Sequence, residues 1–156
     1  MKKVEIKKGI TNENIYQVID WTNTRGEMFL RQWAGELWSF PLQQQQILAE
    51  ADTIYSVFEA EKFLGMLQII RIEEKNAHIG RFVLNPEETG KGIGAAALQQ
   101  LCEFLFQKYT VNSITLNVFA FNEAARKCYQ KCGFRVLEEF IYDEKTCYKM
   151  ILQKAC

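Results

Sequence analysis

Apolar positions along the chain recur with two periods, and the change from one to the other marks out its elements. Val4 and Ile6 alternate with charged neighbours and predict a short first strand. Residues 11–14 (Thr-Asn-Glu-Asn) supply capping oxygens for a helix carrying Ile15, Val18 and Ile19, and a second helical stretch follows near residues 42–51. Residues 54–60 and 63–72 are rich in β-branched and aromatic side chains and are separated by Glu61-Lys62, the pattern of an antiparallel hairpin. A further strand over residues 77–84 follows the polar turn at 73–76. The longest helical pattern covers residues 92–109, where Ala97, Leu98, Leu101, Phe104 and Leu105 form an apolar stripe that Lys108 extends. Ile114, Leu116 and Val118 then alternate as a strand, Asn122 caps a helix running to Cys132, and Gly133 stops it. Two strands, 134–142 and 146–153, close the chain. The expectation is a mixed α/β sheet of about seven mostly antiparallel strands with four helices.

A chain of 156 residues fits one domain spanning 1–156, and 48% hydrophobic residues suffice for a core. Nineteen basic residues balance nineteen acidic ones, so no net field draws the protein to nucleic acid or to an anionic membrane, and any basic site is local. The start, MKKVEIKKGI, has no apolar run of signal-peptide length, and no stretch is apolar enough to span a bilayer. Cys102, Cys128, Cys132, Cys147 and Cys156 are odd in number and follow no framework spacing, which points to reduced thiols in a cytoplasm. Cys128 and Cys132 stand one helical turn apart like half a metal site. A structural zinc needs four ligands and no second pair exists, so they read as packing residues and no metal is expected.

The segment Phe82-Val83-Leu84-Asn85-Pro86-Glu87-Glu88-Thr89-Gly90-Lys91-Gly92-Ile93-Gly94 runs from a strand through a proline-marked turn into the longest helix. Glycines at 90, 92 and 94 remove Cβ atoms where backbone N–H groups meet an anion, and the helix N-terminus adds the positive end of its dipole. A P-loop would need Gly where Asn85 stands and Ser or Thr where Gly92 stands. Gly92-Ile93-Gly94-Ala95-Ala96-Ala97 matches a dinucleotide fingerprint, but the next strand has no acidic residue for a ribose and the loop does not follow an N-terminal βαβ start.

Together with the downstream run Asn122-Glu-Ala-Ala125-Arg-Lys-Cys-Tyr129-Gln-Lys-Cys-Gly133-Phe134, the glycine loop resembles the Gcn5-related N-acetyltransferase family. Its loop is written Arg/Gln-x-x-Gly-x-Gly/Ala, and its second motif Asn-x-x-Ala-x-x-x-Tyr-x-x-x-Gly-Phe. The resemblance covers residues 54–152 well. Thr89 stands where the family has Arg or Gln, at the expense of a side-chain contact to the pyrophosphate; the backbone donors remain. The resemblance implies acetyl-coenzyme A as acetyl donor, a primary amine as acceptor and direct attack without a covalent enzyme intermediate. It also implies that Phe82, Val83 and Leu84 pair with the pantetheine arm as an added strand, a backbone N–H there polarising the thioester carbonyl. Gly90, Lys91, Gly92, Ile93, Gly94 and Ala95 would hold the pyrophosphate, Thr89 standing beside them. Asn122 would cap its helix and face the cofactor, and Tyr129 would protonate the departing thiolate.

The acceptor, a small molecule or a peptide, is less defined. A base or water chain must deprotonate an ammonium of pKa near 10, and His78, Glu73, Glu74 and Asp143 are the candidates, each of which reads first as a structural or solvated turn residue and only second as the base. Residues 21–41 hold Trp21, Phe29, Trp33, Trp38 and Phe40 among charges, and the resemblance places that segment on the acceptor side, where the rings either stack on substrate or form core. The resemblance admits a homodimer. The rival readings are a non-catalytic acyl-coenzyme A sensor and an interaction domain exposing Trp33 and Trp38.

Overall fold

The computed structural model describes residues 3–155; Met1, Lys2 and Cys156 lie outside the described residues. In chain order the elements are β1 Val4–Lys8, α1 Asn12–Arg25, α2 Glu27–Ala34, α3 Gln44–Leu48, β2 Ile54–Glu59, β3 Lys62–Glu73, β4 Asn76–Leu84, α4 Ile93–Lys108, β5 Ser113–Phe119, α5 Glu123–Lys131, β6 Arg135–Tyr142 and β7 Lys145–Gln153. The seven strands form one sheet in the order β1-β2-β3-β4-β5-β7-β6, in which β4 pairs with β5 in parallel.

Local chemistry explains the helix boundaries. Thr11 Oγ1 accepts the Asn14 N–H at 3.2 Å and starts α1. Gly26, at a φ of 101° that disfavours any side chain, ends α1 by donating its N–H to the Thr22 carbonyl and is also the N-cap of α2. That break makes five helices where four are expected. The additional one, α2, is only eight residues long, too short for its apolar positions to show a period of its own.

By the density of their contacts the described residues fall into two compact units, 3–68 with Gly80–Ile93, and Ile69–Ile79 with 94–155. The first has its own core, built from Ile15, Val18 and Trp21 of α1, Leu30, Trp33 and Ala34 of α2, Trp38, Leu42, Ile47, and Ile54, Phe63, Met66 and Val83 of the strands. Trp21 stacks on Phe63 with centroids 5.7 Å apart, and Trp33 meets Trp38 edge to face. The second unit buries Leu98, Leu101 and Leu105 of α4, Ile114 and Leu116 of β5, and Met150 of β7.

Gly65, inside the apolar run of β3, lies tight against the backbone of β4. A Cβ built there would strike the Val83 carbonyl oxygen and stand 2.9 Å from the Leu84 Cα, beside the bond from the Asn85 N–H to the Leu64 carbonyl at 2.7 Å. Neither obstacle is a flexible side-chain end, so the strands must part. Gly65→Ala is expected to destabilise the fold by about 1–3 kcal/mol, as overpacking does in a well-packed core. Chemical denaturation of parent and variant checks this, and an unchanged midpoint would refute it.

Candidate active site

From Gly80 onward no residue of β4 pairs with β5, whose register with β4 covers only Asn76–His78, so the last part of β4 keeps one edge without a ladder partner among the described residues. Val83 points into the core of the first unit, while Phe82 and Leu84 are half-buried. The chain then turns tightly. Asn85 Oδ1 accepts the Glu87 N–H at 3.0 Å, Pro86–Glu88 makes one 3-10 turn, and the Thr89 hydroxyl donates back to the Pro86 carbonyl at 3.2 Å. Thr89 thus stabilises the loop's own turn.

Gly90 and Gly92 follow with φ of 81° and 80°, the left-handed region that L side chains rarely adopt, and no atom lies within 4 Å of a Cβ built on either. Their surroundings are open. Lys91 Nζ reaches Glu88 at 3.3 Å, as does Lys62, and the two ammonium groups hold the Glu88 carboxyl below the usual carboxylate range. Ile93 is buried and anchors the start of α4, whose leading N–H groups, from Ile93 through Gly94 and Ala95, have no acceptor within the helix. An open loop in left-handed glycine conformation that leads into orphan N–H groups has the chemistry to take an anion.

In the second unit Asn122 is the N-cap of α5, its Oδ1 accepting the Ala125 N–H at 3.3 Å. Tyr129 lies on the same helix with its ring 6.3 Å from that of Phe134, and its carbonyl accepts the N–H groups of Cys132 and Phe134. Its hydroxyl has no hydrogen-bond partner among the described residues. Burial, with the Cys128 and Cys132 thiols adding to it, pushes the Tyr129 pKa well above the ordinary phenol value, so the group stays protonated at neutral pH. Gly133 ends the helix at a φ of 97°.

His78 is buried with Nδ1 2.8 Å from Thr115 Oγ1, and Asn76 Nδ2 donates to that same hydroxyl at 3.0 Å. Burial first, and then the charges of Arg71 and Lys149, depress its pKa to about 4, so the imidazole is neutral at physiological pH. Glu73 pairs with Arg71 at 3.0 Å, Glu74 occupies the β3–β4 turn with a φ of 49°, and Asp143 occupies the β6–β7 turn with a φ of 52°. Glu73, Glu74 and Asp143 are exposed turn-end groups.

The aromatic segment is core. Trp33 and Trp38 are 8% and 4% exposed, which overturns the interaction-patch reading; both belong to the core formed with α1, α2 and the strands. Residues that sequence reasoning missed cluster around Trp38. Arg81 on β4 lies under its ring, guanidinium carbon to centroid 4.0 Å, and reaches Glu50 at 2.7 Å and Gln68 Oε1 at 3.2 Å. Glu50 also accepts from Gln68 at 2.8 Å and from the Trp38 indole at 3.0 Å. Burial pushes the Glu50 carboxyl up, but the hydrogen bonds from Gln68 and Trp38 and the Arg81 charge outweigh it and hold the group below the usual range. The signal present in the sequence was a charge set in an otherwise apolar strand, Gly80-Arg81-Phe82.

Solved structures confirm the architecture at low sequence identity. A GNAT-family acetyltransferase from Bacillus anthracis superposes with a TM-score of 0.80 over 98% of each chain at 15% identity. The spermidine N-acetyltransferase of Vibrio cholerae, solved with coenzyme A and spermine, does so at 0.77 over 97% of this chain and 95% of that one, at 14% identity. Acetyltransferase PseH of Campylobacter jejuni is 25% identical over 101 residues, 65% of this chain and 60% of that protein, so the match spans about three-fifths of that relative's length. The family model described as Acetyltransferase (GNAT) family matches residues 13–134, and with the glycine loop, the Asn122-to-Phe134 run and the seven-stranded sheet in agreement, the chain belongs to that family.

Proposed function

We propose that the protein is an acetyl-coenzyme A-dependent N-acetyltransferase acting on a primary amine, one catalytic domain over residues 1–156. The observation that carries this reading is the left-handed pair Gly90 and Gly92 opening directly into the unsatisfied N-terminus of α4, in a chain of the acetyltransferase family. Acetyl-coenzyme A supplies the activated acetyl group as a thioester. Gly90, Gly92, Ile93, Gly94 and Ala95 hold its pyrophosphate through backbone N–H groups, with Lys91 adding charge nearby. Phe82, Val83 and Leu84 offer the pantetheine arm a strand edge, and a backbone N–H of that edge stabilises charge building on the acetyl oxygen. Thr89 and Asn122 keep the loop and the start of α5 in shape. Tyr129 donates its phenolic proton to the departing sulfur, a role that its missing hydrogen-bond partner supports. Four described cysteines are free and no described helix is long and apolar enough to cross a membrane, which is consistent with a cytoplasmic setting.

The test combines calorimetric titration of coenzyme A with release of free thiol from acetyl-coenzyme A in the presence of an amine panel covering alkylamines, polyamines, amino acids, aminoglycosides and peptide N-termini. Binding together with amine-dependent thiol release is expected. Binding without release from any amine would indicate a sensor, and absence of binding would end the proposal.

A further inference from the structure

We infer that Arg81 selects the acceptor: the Nε–Nη2 edge of its guanidinium takes an oxyanion, a carboxylate or a phosphate, carried by the amine substrate. The inference rests on the transfer function proposed above and narrows its substrate class.

Arg81 adopts a φ of 45°, a left-handed conformation that is uncommon for any residue with a side chain and that tends to persist where the surroundings over-determine it, often at binding sites. The side chain is 8% exposed. A guanidinium carries five N–H groups in a fixed fork. One edge is engaged, since Nη1 donates to both Glu50 and Gln68. A carboxylate facing Arg ordinarily takes two parallel bonds. Glu50 is held out of that arrangement because its second oxygen accepts the Trp38 indole N–H at 3.0 Å. The other edge therefore remains: Nε makes only a long 3.5 Å bond to the Ala34 carbonyl, and Nη2 has no partner among the described residues. Nη2 is not among the described buried atoms that lack a partner, so it is open to solvent. An accessible donor beside a weakly engaged Nε, on a guanidinium otherwise covered by Trp38, Glu50 and Gln68, is a place where a ligand oxygen can dock.

The oxyanion follows from the fork, whose planar pair of donors matches carboxylate and phosphate and whose charge roughly doubles the strength of each bond. The acceptor follows from the company Arg81 keeps. Its partners are Ala34 at the end of α2, Trp38, Glu50 and Gln68, and none belongs to the glycine loop.

The experiment compares kcat/KM for β-alanine and phosphoethanolamine with that for propylamine and 1,3-diaminopropane in the parent and in Arg81→Lys, which keeps the charge and loses the fork. The parent is expected to favour the two oxyanion-bearing amines by on the order of tenfold to a hundredfold, the factor a hydrogen bond to a charged group supplies, and Arg81→Lys to bring the ratio near unity. Coenzyme A affinity should be the same in both. In parallel, the Trp38 indole N–H resonance, assigned by its loss in Trp38→Phe, is followed while β-alanine is added to the coenzyme A complex. A saturable shift in the parent and none in Arg81→Lys is expected. A parent that prefers the diamine, a ratio that survives in Arg81→Lys, or a parent showing neither turnover nor a saturable shift with the oxyanion amines would overturn the inference. A shift without thiol release from any amine would leave the Arg81 site standing and refute the transfer function.

Discussion

Titration of coenzyme A into the Gly92→Val protein is expected to show affinity reduced by about a hundredfold or more, the loss that follows when two charge-assisted hydrogen bonds to a pyrophosphate are removed. The cost is conformational before it is steric. Gly92 sits at a φ of 80°, where a β-branched residue is a true outlier, so valine would drive the loop toward another backbone geometry and re-aim its N–H donors. Nothing lies within 4 Å of a Cβ at this position, so the cost should fall on the ligand more than on the fold. Gly92→Ala should lie between parent and valine. Gly94→Val tests the first turn of α4, where the backbone is helical and only the added side chain is at issue. Circular dichroism and a melting curve confirm that each variant folds. Unchanged coenzyme A affinity in both valine variants would remove the loop from the site.

The second large effect is expected at Tyr129, where Phe substitution should lower kcat about a hundredfold while leaving acetyl-coenzyme A binding intact. The exchange removes one oxygen and keeps the ring against Phe134. Because that oxygen has no protein partner among the described residues, its loss strands no donor or acceptor, and stability should change little. Burial keeps the phenol protonated past its ordinary value of about 10, so the proton is available throughout the neutral range and the parent's rate should not fade on the alkaline side before that value is passed. The factor is bounded from above by the leaving group itself, since a thiol of pKa about 8.5 departs tolerably as its anion. Single-turnover transfer at saturating substrates decides the matter. A Tyr129→Phe rate within about twofold of the parent would show that the proton comes from elsewhere and that the ring only packs.

What the sequence determined about this protein is what depends on neighbours within a few residues. Thr11, Gly26, Asn122 and Gly133 bound their helices through bonds to atoms at most four residues away, so their residue types alone place the boundaries. The glycine loop was legible for the same reason, since three glycines within five residues leading into a long apolar helix mark an open backbone and a bare helix N-terminus without help from the rest of the chain. The seven strands followed from alternation and turn residues. Only α2 escaped, because eight residues joined to α1 through one glycine carry too little periodicity to stand apart. Tertiary structure alone decided the rest. Ala34, Trp38, Glu50, Gln68 and Arg81 are spread over almost fifty residues, and nothing local in any of them announces the others. The pairing limit that leaves the end of β4 with a bare edge is a property of the sheet register, and no strand encodes it by itself. The rings of residues 21–38 have the same composition whether they face solvent, substrate or core. Their burial was settled when α1, α2 and β3 packed together, because exclusion of water depends on which surfaces meet in space and not on the order of residues along the chain.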